Sequence, residues 1–217
     1  AGIFGVYGNK KFDYAYEGSP QKNLESRSIT VNRGKCLGGS SSINGMVYIR
    51  GNKNDYDNWA ALGCKGWSYE DVLPVFKKLE NNNAGGDSKY HGFDGELSVV
   101  APQDANASGK RFISAGAEIG LSQNPDFNSE SQIGLGIYNV TQSNGTRVSS
   151  YTAFLEPILS RDNLTILTNT TVSTLDILGE KVTSINIKTN GVDKKISFNK
   201  EVVVCSGAID SPRLLLA

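Results

Sequence analysis

The chain has one histidine, one methionine and two tryptophans in 217 residues, and its three cysteines stand apart at Cys36, Cys64 and Cys205. An odd cysteine count without ligand-type spacing gives neither a disulfide framework nor a metal centre, so no metal is expected. The thiols are read as small buried side chains, with only Cys36 near basic neighbours, Arg33 and Lys35. There is no excess of either charge, 22 bases against 22 acids. Attraction to nucleic acid or to an anionic membrane is therefore not expected. No stretch nears the ~20 apolar residues of a membrane span. The start of the chain lacks the basic opening and continuous apolar core of a signal peptide. Also missing is G-x-G-x-x-G after a strand, the pattern that admits a dinucleotide's pyrophosphate. Gly2 to Gly8 supplies glycines but neither the strand nor the spacing. No internal repeat is present. Five Asn-X-Ser/Thr sequons occur, at Asn106, Asn139, Asn144, Asn163 and Asn169. Roughly three arise by chance in so Asn-, Ser- and Thr-rich a chain, which leaves the compartment, cytoplasmic or secreted, open.

What the chain does have is Arg33 to Arg50, RGKCLGGSSSINGMVYIR. Two glycines, Gly38 and Gly39, precede three serines, Ser40 to Ser42, and a run of helical character from Ile43 to Ile49. Glycine lets backbone approach a ligand, serine hydroxyls cap free N–H groups, and a helix N-terminus adds partial positive charge. That chemistry suits a phosphate-bearing cofactor.

Around this segment the pattern predicts a mixed α/β (α+β) fold. Phe12 to Tyr16, Ser28 to Asn32, Glu96 to Val100 and Gly134 to Gln142 read as strands, and Asn81 to Ser88 as a flexible loop. Asp55 to Leu62 and Ser68 to Glu80 read as helices, the second capped by Ser68 with an acid three residues on. Pro74 should kink that helix or mark a late first turn. Gly109 to Ile119 has helical spacing with Phe112, Ala115 and Ile119 on one side, and Thr152 to Leu159 is a short helix. From Leu164 the sequence turns to alternating β-branched segments joined at Gly179-Glu180 and at an Asn190-Gly191 hairpin. Glu201 to Cys205 reads as an apolar strand feeding a helix that starts near Asp210, with Pro212 in its first turn.

RGKCLGGSSSINGMVYIRG closely resembles the first signature of the glucose–methanol–choline (GMC) family of FAD-dependent oxidoreductases. The resemblance runs on through Asp55-Tyr56-Asp57-Asn58-Trp59, Gly66-Trp67-Ser68, His91-Gly92, Asp94-Gly95-Glu96-Leu97 and Arg147-Val148-Ser149-Ser150. It ends at Glu201 to Ile209 with Ser211-Pro212, so it covers nearly the whole chain. It implies part of a doubly wound FAD-binding domain in residues 1–100, part of a substrate domain in 101–160, and a β-rich return to the FAD-binding domain in 161–217. By matched position, Cys36, Gly39 and Ser40 would lie against the ribityl and pyrophosphate portion of FAD. Asn44, Gly45, Met46 and Val47 would pass the isoalloxazine ring, largely through backbone atoms. Met46 and Val47 are alternatively plain helix core. Val172 would meet the adenine end, where without the family it is one apolar residue in a β-rich run. Gly207 and Ala208 would sit where the nucleotide approaches, or simply form a tight strand-to-helix turn. Arg33 and Lys35 either neutralise pyrophosphate or hold the loop by a salt bridge. Arg147 positions the following helix rather than touching substrate, and Trp59 and Trp67 pack the helices after the motif.

The activity implied is oxidation of a small-molecule alcohol to an aldehyde or ketone by hydride transfer to flavin, in the manner of the choline and alcohol dehydrogenase branches. A family alternative is a lyase that cleaves cyanohydrins around an FAD kept for structure. The family's catalytic histidine is expected downstream of the matched region. His91, in KYHGFDGEL, matches a loop instead, so no catalytic residue is assigned. The chain reads as an internal piece of a longer enzyme, expected to bind little flavin and turn over nothing by itself.

Overall fold

The computed structural model describes residues 5–217, so the glycine run opening at Gly2 begins outside the described residues. It divides into two compact units, one running up to Ser160 and the other Arg161–Ala217. Helices and small sheets alternate, as the pattern predicts.

In the first unit, β1 (Tyr16–Glu17) pairs antiparallel with β2 (Thr30–Val31). The predicted strand at 12–16 is shorter, because Asp13 turns its side chain inward to bind backbone. Helix α1 (Lys53–Ala61) begins in a capping box: Asn52 Oδ1 accepts from the Asn54 N–H, and Asp55 Oδ2 accepts from the Asn52 N–H, both at 2.9 Å. Helix α2 (Tyr69–Leu79) repeats the device with Ser68 and Asp71. Each cap is worth about 1 kcal/mol. Pro74 falls in the second turn of α2, not the first, and the helix continues through it.

Glu80 leaves α2 to start β3 (Glu80–Asn82), which pairs parallel with β4 (Leu97–Val99). The first residues of the expected loop at Asn81 are therefore strand. Helix α3 (Ala107–Glu118) forms under an Asn106 cap, and the side that carries Phe112, Ala115 and Ile119 is exposed. Phe112 and Ile119 are 67% and 77% exposed, and Gly116 is buried. A Cβ at Gly116 would meet Leu135 and Leu121, so the glycine side is the one that packs closely. Of the strand expected from Gly134 to Gln142, only Gln142 belongs to one; among the described residues the rest makes single bridges, Leu135 to Gln123 and Val140 to both Val47 and Val100. A short hairpin follows, β5 (Gln142–Ser143) against β6 (Thr146–Arg147), turning on Asn144 and Gly145 in left-handed conformation. The helix expected at 152–159 is a π-turn, Tyr151–Leu155, running into a 3-10 turn, Glu156–Ile158. The buried apolar residues of this unit are Ile43, Tyr56, Tyr90, Val99, Phe127 and Ala153, and Asp13, Arg50, Glu80, His91 and Asn128 are buried among them.

The second unit is an antiparallel meander, β7 (Thr170–Leu178), β8 (Lys181–Thr189) and β9 (Val192–Ser197). Its turns fall at Gly179-Glu180 and at Asn190-Gly191, where φ values of 49° and 83° match the primed hairpin turn that Asn-Gly favours. Helix α4 (Gly207–Leu215) packs on β7, with Leu214 buried and Ile187 the buried apolar residue of β8. The helix starts three residues earlier than expected, which puts Pro212 in its second turn. Residues 164–168 and Glu201–Cys205 are not strands, since no described neighbour pairs with them. All three cysteines are exposed, against the expectation of burial. No helix among the described residues is long and apolar enough to cross a membrane.

Candidate functional site

Gly39–Ser42 forms one 3-10 turn, entered through Gly38 and Gly39 at φ 84° and 53°. The helix expected over Ile43 to Ile49 does not follow. Met46 adopts φ 63°, and its carbonyl accepts from the Thr141 N–H at 2.9 Å while the Tyr48 N–H donates to Asn139 O at 2.8 Å. Pairing with the 139–141 segment thus overrides helical propensity, and no helix N-terminus faces the glycines. The site is a loop, not a helix cap.

That loop is pinned from two directions. From the N-terminal side, Asp13, fully buried, accepts from the N–H groups of Gly8, Ala15 and Arg33 at 2.9 Å each and from Asn32 Nδ2 at 2.5 Å. Burial alone would raise this carboxyl; the hydrogen bonds from Gly8, Asn32, Ala15 and Arg33 outweigh it and hold the pKa at about 2. Gly34 then lies against Gly39 so closely that a Cβ would stand on the Gly39 carbonyl, and the Gly34 N–H donates to Ser40 Oγ at 3.1 Å. From the other side, Arg147 Nη1 donates to Ser41 O at 3.0 Å and to Asn44 Oδ1 at 2.7 Å. The Ser150 N–H donates to Ser41 Oγ at 2.8 Å, and Ser150 Oγ to Gly38 O at 3.1 Å.

The free side of the loop is open. At Gly39 and at Gly45 no atom lies within 4 Å of where a Cβ would stand, whereas at Gly38 the Cβ would run into Ser42 Oγ and Ser149. Glycine is therefore required by packing at Gly34 and Gly38, and at Gly39 and Gly45 it leaves backbone accessible to a guest. Cys36, Ser40, Asn44 and Val47 are exposed, and Met46 is half-buried. These residues are contiguous along one loop. Val172, Gly207 and Ala208 belong to the second unit. Val172 is half-buried in β7 opposite Ile187, and Gly207 opens α4 at φ 81° with Ala208 exposed beside it.

Arg147 holds the loop, not the helix after it. Arg33 and Lys35 make no ion pair among the described residues; Arg33 Nη1 donates to Asn32 O at 2.6 Å, and Lys35 Nζ lies 5.6 Å above the Tyr14 ring. Trp59 and Trp67 touch edge to face, 5.9 Å apart, with Tyr56 beside Trp59, but both remain exposed and not core.

A second polar centre went unread in the sequence. Arg50 Nη2 pairs with Glu80 Oε2 at 2.5 Å, and His91 places Nδ1 2.9 Å from Glu80 Oε1 and Nε2 2.8 Å from Asp126 Oδ2. Arg50 also donates from Nη1 to Tyr90 O at 2.7 Å. His91 is 1% exposed and spends both ring nitrogens on carboxylates, so it offers no base to a substrate. The one available signal was charge inside apolar runs, Arg50 after VYI and Glu80 closing α2.

A family model described as GMC oxidoreductase matches residues 12–217. The chain belongs to the GMC oxidoreductase family. It is 40% identical over 217 residues to an alcohol dehydrogenase [acceptor] of Pseudomonas putida, covering 99% of this chain and 39% of that protein. It is 39% identical over 207 residues to an oxygen-dependent choline dehydrogenase of Rhizobium johnstonii, covering 95% of this chain and 37% of that protein. Among solved structures it resembles pyridoxine 4-oxidase from Mesorbium loti, with TM-score 0.91, 32% identity, and coverage of 99% of this chain and 42% of that one. An FAD-dependent oxidoreductase from Chaetomium thermophilum gives TM-score 0.87 at 26% identity, covering 96% of this chain and 39% of that one. This GMC chain thus spans about two fifths of the length of the relatives it matches.

Proposed function

We propose that this GMC chain forms the cofactor-cradling part of an FAD-dependent oxidoreductase that converts an alcohol to an aldehyde or ketone. The observation that carries the reading is the loop at 38–47: pinned on two sides, it leaves Gly39 and Gly45 with open space where side chains would stand. Such a loop, with backbone exposed and a serine beside it, suits a large flat cofactor bearing a diphosphate. The relatives' names, alcohol dehydrogenase and choline dehydrogenase, support an alcohol as substrate, and that of the Chaetomium thermophilum neighbour supports FAD.

When bound, FAD supplies the hydride acceptor that no side chain can be. Cys36, Gly39 and Ser40 hold its ribityl and diphosphate portion. Ser40 Oγ accepts from the Gly34 N–H and can still donate its own proton to a phosphate oxygen. Asn44, Gly45, Met46 and Val47 present backbone to the ring system, and the fixed turn at Met46 keeps those groups oriented without reorganisation. Val172, Gly207 and Ala208 would meet the adenine end, an assignment that rests on the family resemblance alone. His91 takes no part in the alcohol's deprotonation, so that base comes from elsewhere in the enzyme.

The test is to express the chain with its natural flanking sequence and record the visible spectrum. A stoichiometric flavin band that bleaches when an alcohol is added without oxygen is the expected result. A colourless protein overturns the cofactor assignment. A yellow flavin that stays oxidised while a cyanohydrin releases cyanide assigns the protein to lyase chemistry instead.

A further inference from the structure

We infer that Arg147 is a positioning residue for the cofactor, holding the Asn44–Met46 turn in its working shape and bringing an unneutralised positive charge to it. This rests on the reading of the loop as a flavin cradle. Met46 is a side-chain-bearing residue at φ 63°, a conformation that L residues other than glycine adopt at a cost. Something must hold it there. Asn44 Oδ1 accepts from the Met46 N–H at 2.9 Å, and Thr141 donates to Met46 O from its N–H at 2.9 Å and from Oγ1 at 3.3 Å. Asn44 Oδ1 is in turn fixed by Arg147 Nη1 at 2.7 Å, and the same nitrogen reaches Ser41 O at 3.0 Å. The hairpin that carries Arg147 also sets Gln142 Nε2 3.4 Å from Met46 Sδ. One hairpin therefore brackets the turn from both ends, from a sequence distance of 103 residues at Asn44.

Arg147 is not needed merely to keep the hairpin on the loop, because Ser150 already bonds Ser41 and Gly38 independently. Its charge is the distinctive part. No carboxylate among the described residues lies within ion-pair distance of Arg147. Only Nη1 has acceptors among the described residues, which leaves Nε and Nη2 as donors beside a turn that is open at Gly45. A guanidinium in that state favours the more negative, reduced form of a bound flavin.

The experiment compares Arg147→Met, Arg147→Lys and, as a control for fastening alone, Ser150→Ala, each in the holoprotein with its natural flanking sequence. FAD dissociation constant, flavin midpoint potential and apoprotein melting temperature are measured. Arg147→Met should weaken FAD binding about tenfold or more, as loss of a charge-assisted bond predicts, and lower the midpoint potential. Arg147→Lys should keep the potential near wild type, because a single nitrogen serves both acceptors. Ser150→Ala should lower the melting temperature without moving the potential. The inference is overturned if Arg147→Met lowers only the melting temperature, or if the lysine and methionine variants lose potential equally. A wild-type protein without flavin would overturn the functional reading itself, whereas flavin bound alike by wild type and Arg147→Met overturns this inference alone.

Discussion

His91 Nδ1 and Glu80 Oε1 lie 2.9 Å apart at the end of α2, both side chains sealed from solvent, with Asp126 Oδ2 2.8 Å from the other ring nitrogen. An imidazole flanked by carboxylates at both nitrogens can donate to both only as an imidazolium, the form that this geometry favours. Burial alone would lower its pKa, but the hydrogen bonds and charges of Glu80 and Asp126 raise it above the ordinary 6.5. A raised folded pKa contributes stability that is complete below 6.5 and is lost as pH climbs through the folded value. The melting temperature should therefore decline as pH rises above 6.5 in the wild type, and His91→Gln should lack that component. A wild-type curve that is flat or rising over that window, or matched by the variant, would refute the charged assignment.

Arg50 is the other cation of the same cluster, and it is 8% exposed. Removing it leaves Glu80 with one compensating partner and strips Tyr90 O of its donor. Arg50→Met should cost about 3–5 kcal/mol, the usual penalty for breaking a buried pair from one side. Chemical denaturation read by tryptophan fluorescence checks this, since Trp59 and Trp67 lie on the neighbouring α1–α2 segment. The double variant Arg50→Met/Glu80→Gln should recover part of the loss, because no carboxylate would then be stranded.

Where the sequence was legible, a local rule was in charge. Ser68 announces a helix through an acid three residues on, and Asn190-Gly191 announces a hairpin; both depend on neighbours in the chain, as does the Asn52 capping box that starts α1 two residues before the expected Asp55. The misreadings share a non-local cause. Ile43 to Ile49 has helical spacing but pairs with a segment some hundred residues away through Val140 and Thr141. The apolar spacing of Phe112, Ala115 and Ile119 marks α3 correctly as a helix, yet the packed side is the one carrying Gly116. Glu201 to Cys205 has strand composition and no described partner to pair with. At the site, the glycine–serine motif itself was readable, whereas the reach of Asp13 to Asn32 and Arg33 and the hold of Arg147 on Asn44 were not, because nothing in either local sequence points to a partner so far away.

Gly34 and Gly39 make a paired test of which glycines serve packing and which serve a guest. A Cβ at Gly34 would stand on the Gly39 carbonyl and 2.7 Å from Ser40 N, where only backbone could give way. Gly34→Ala should destabilise the apoprotein by about 2–4 kcal/mol, as overpacking into unyielding backbone does. Gly39→Ala meets no atom within 4 Å, at φ 53°. Its apoprotein should lose only about 1–2 kcal/mol, the left-handed strain of one residue, while its new methyl group occupies the open side of the loop. Calorimetry of the apoproteins and flavin titration of each should therefore rank the two in opposite orders. If Gly39→Ala binds FAD as wild type does, the open side is not where the cofactor lies.

Asp13 reaches the cradle through backbone alone. It fixes the Arg33 N–H, and Arg33 is the residue before the glycine that presses on Gly39. Asparagine at position 13 would keep one acceptor oxygen and turn an NH2 toward the donors on Gly8 and Asn32, or toward those on Ala15 and Arg33. Either way buried donors face a donor, at a cost of about 1–3 kcal/mol. The pH dependence separates this from simple loss of packing. A carboxyl held at about 2 against an ordinary 3.8 contributes stability above 3.8 that disappears as pH falls through about 2. Acid unfolding of Asp13→Asn should lack that component, so the wild-type advantage should be full above 3.8 and vanish near 2. An advantage that persists unchanged to the acid end would mean that Asp13 acts by shape and not by charge.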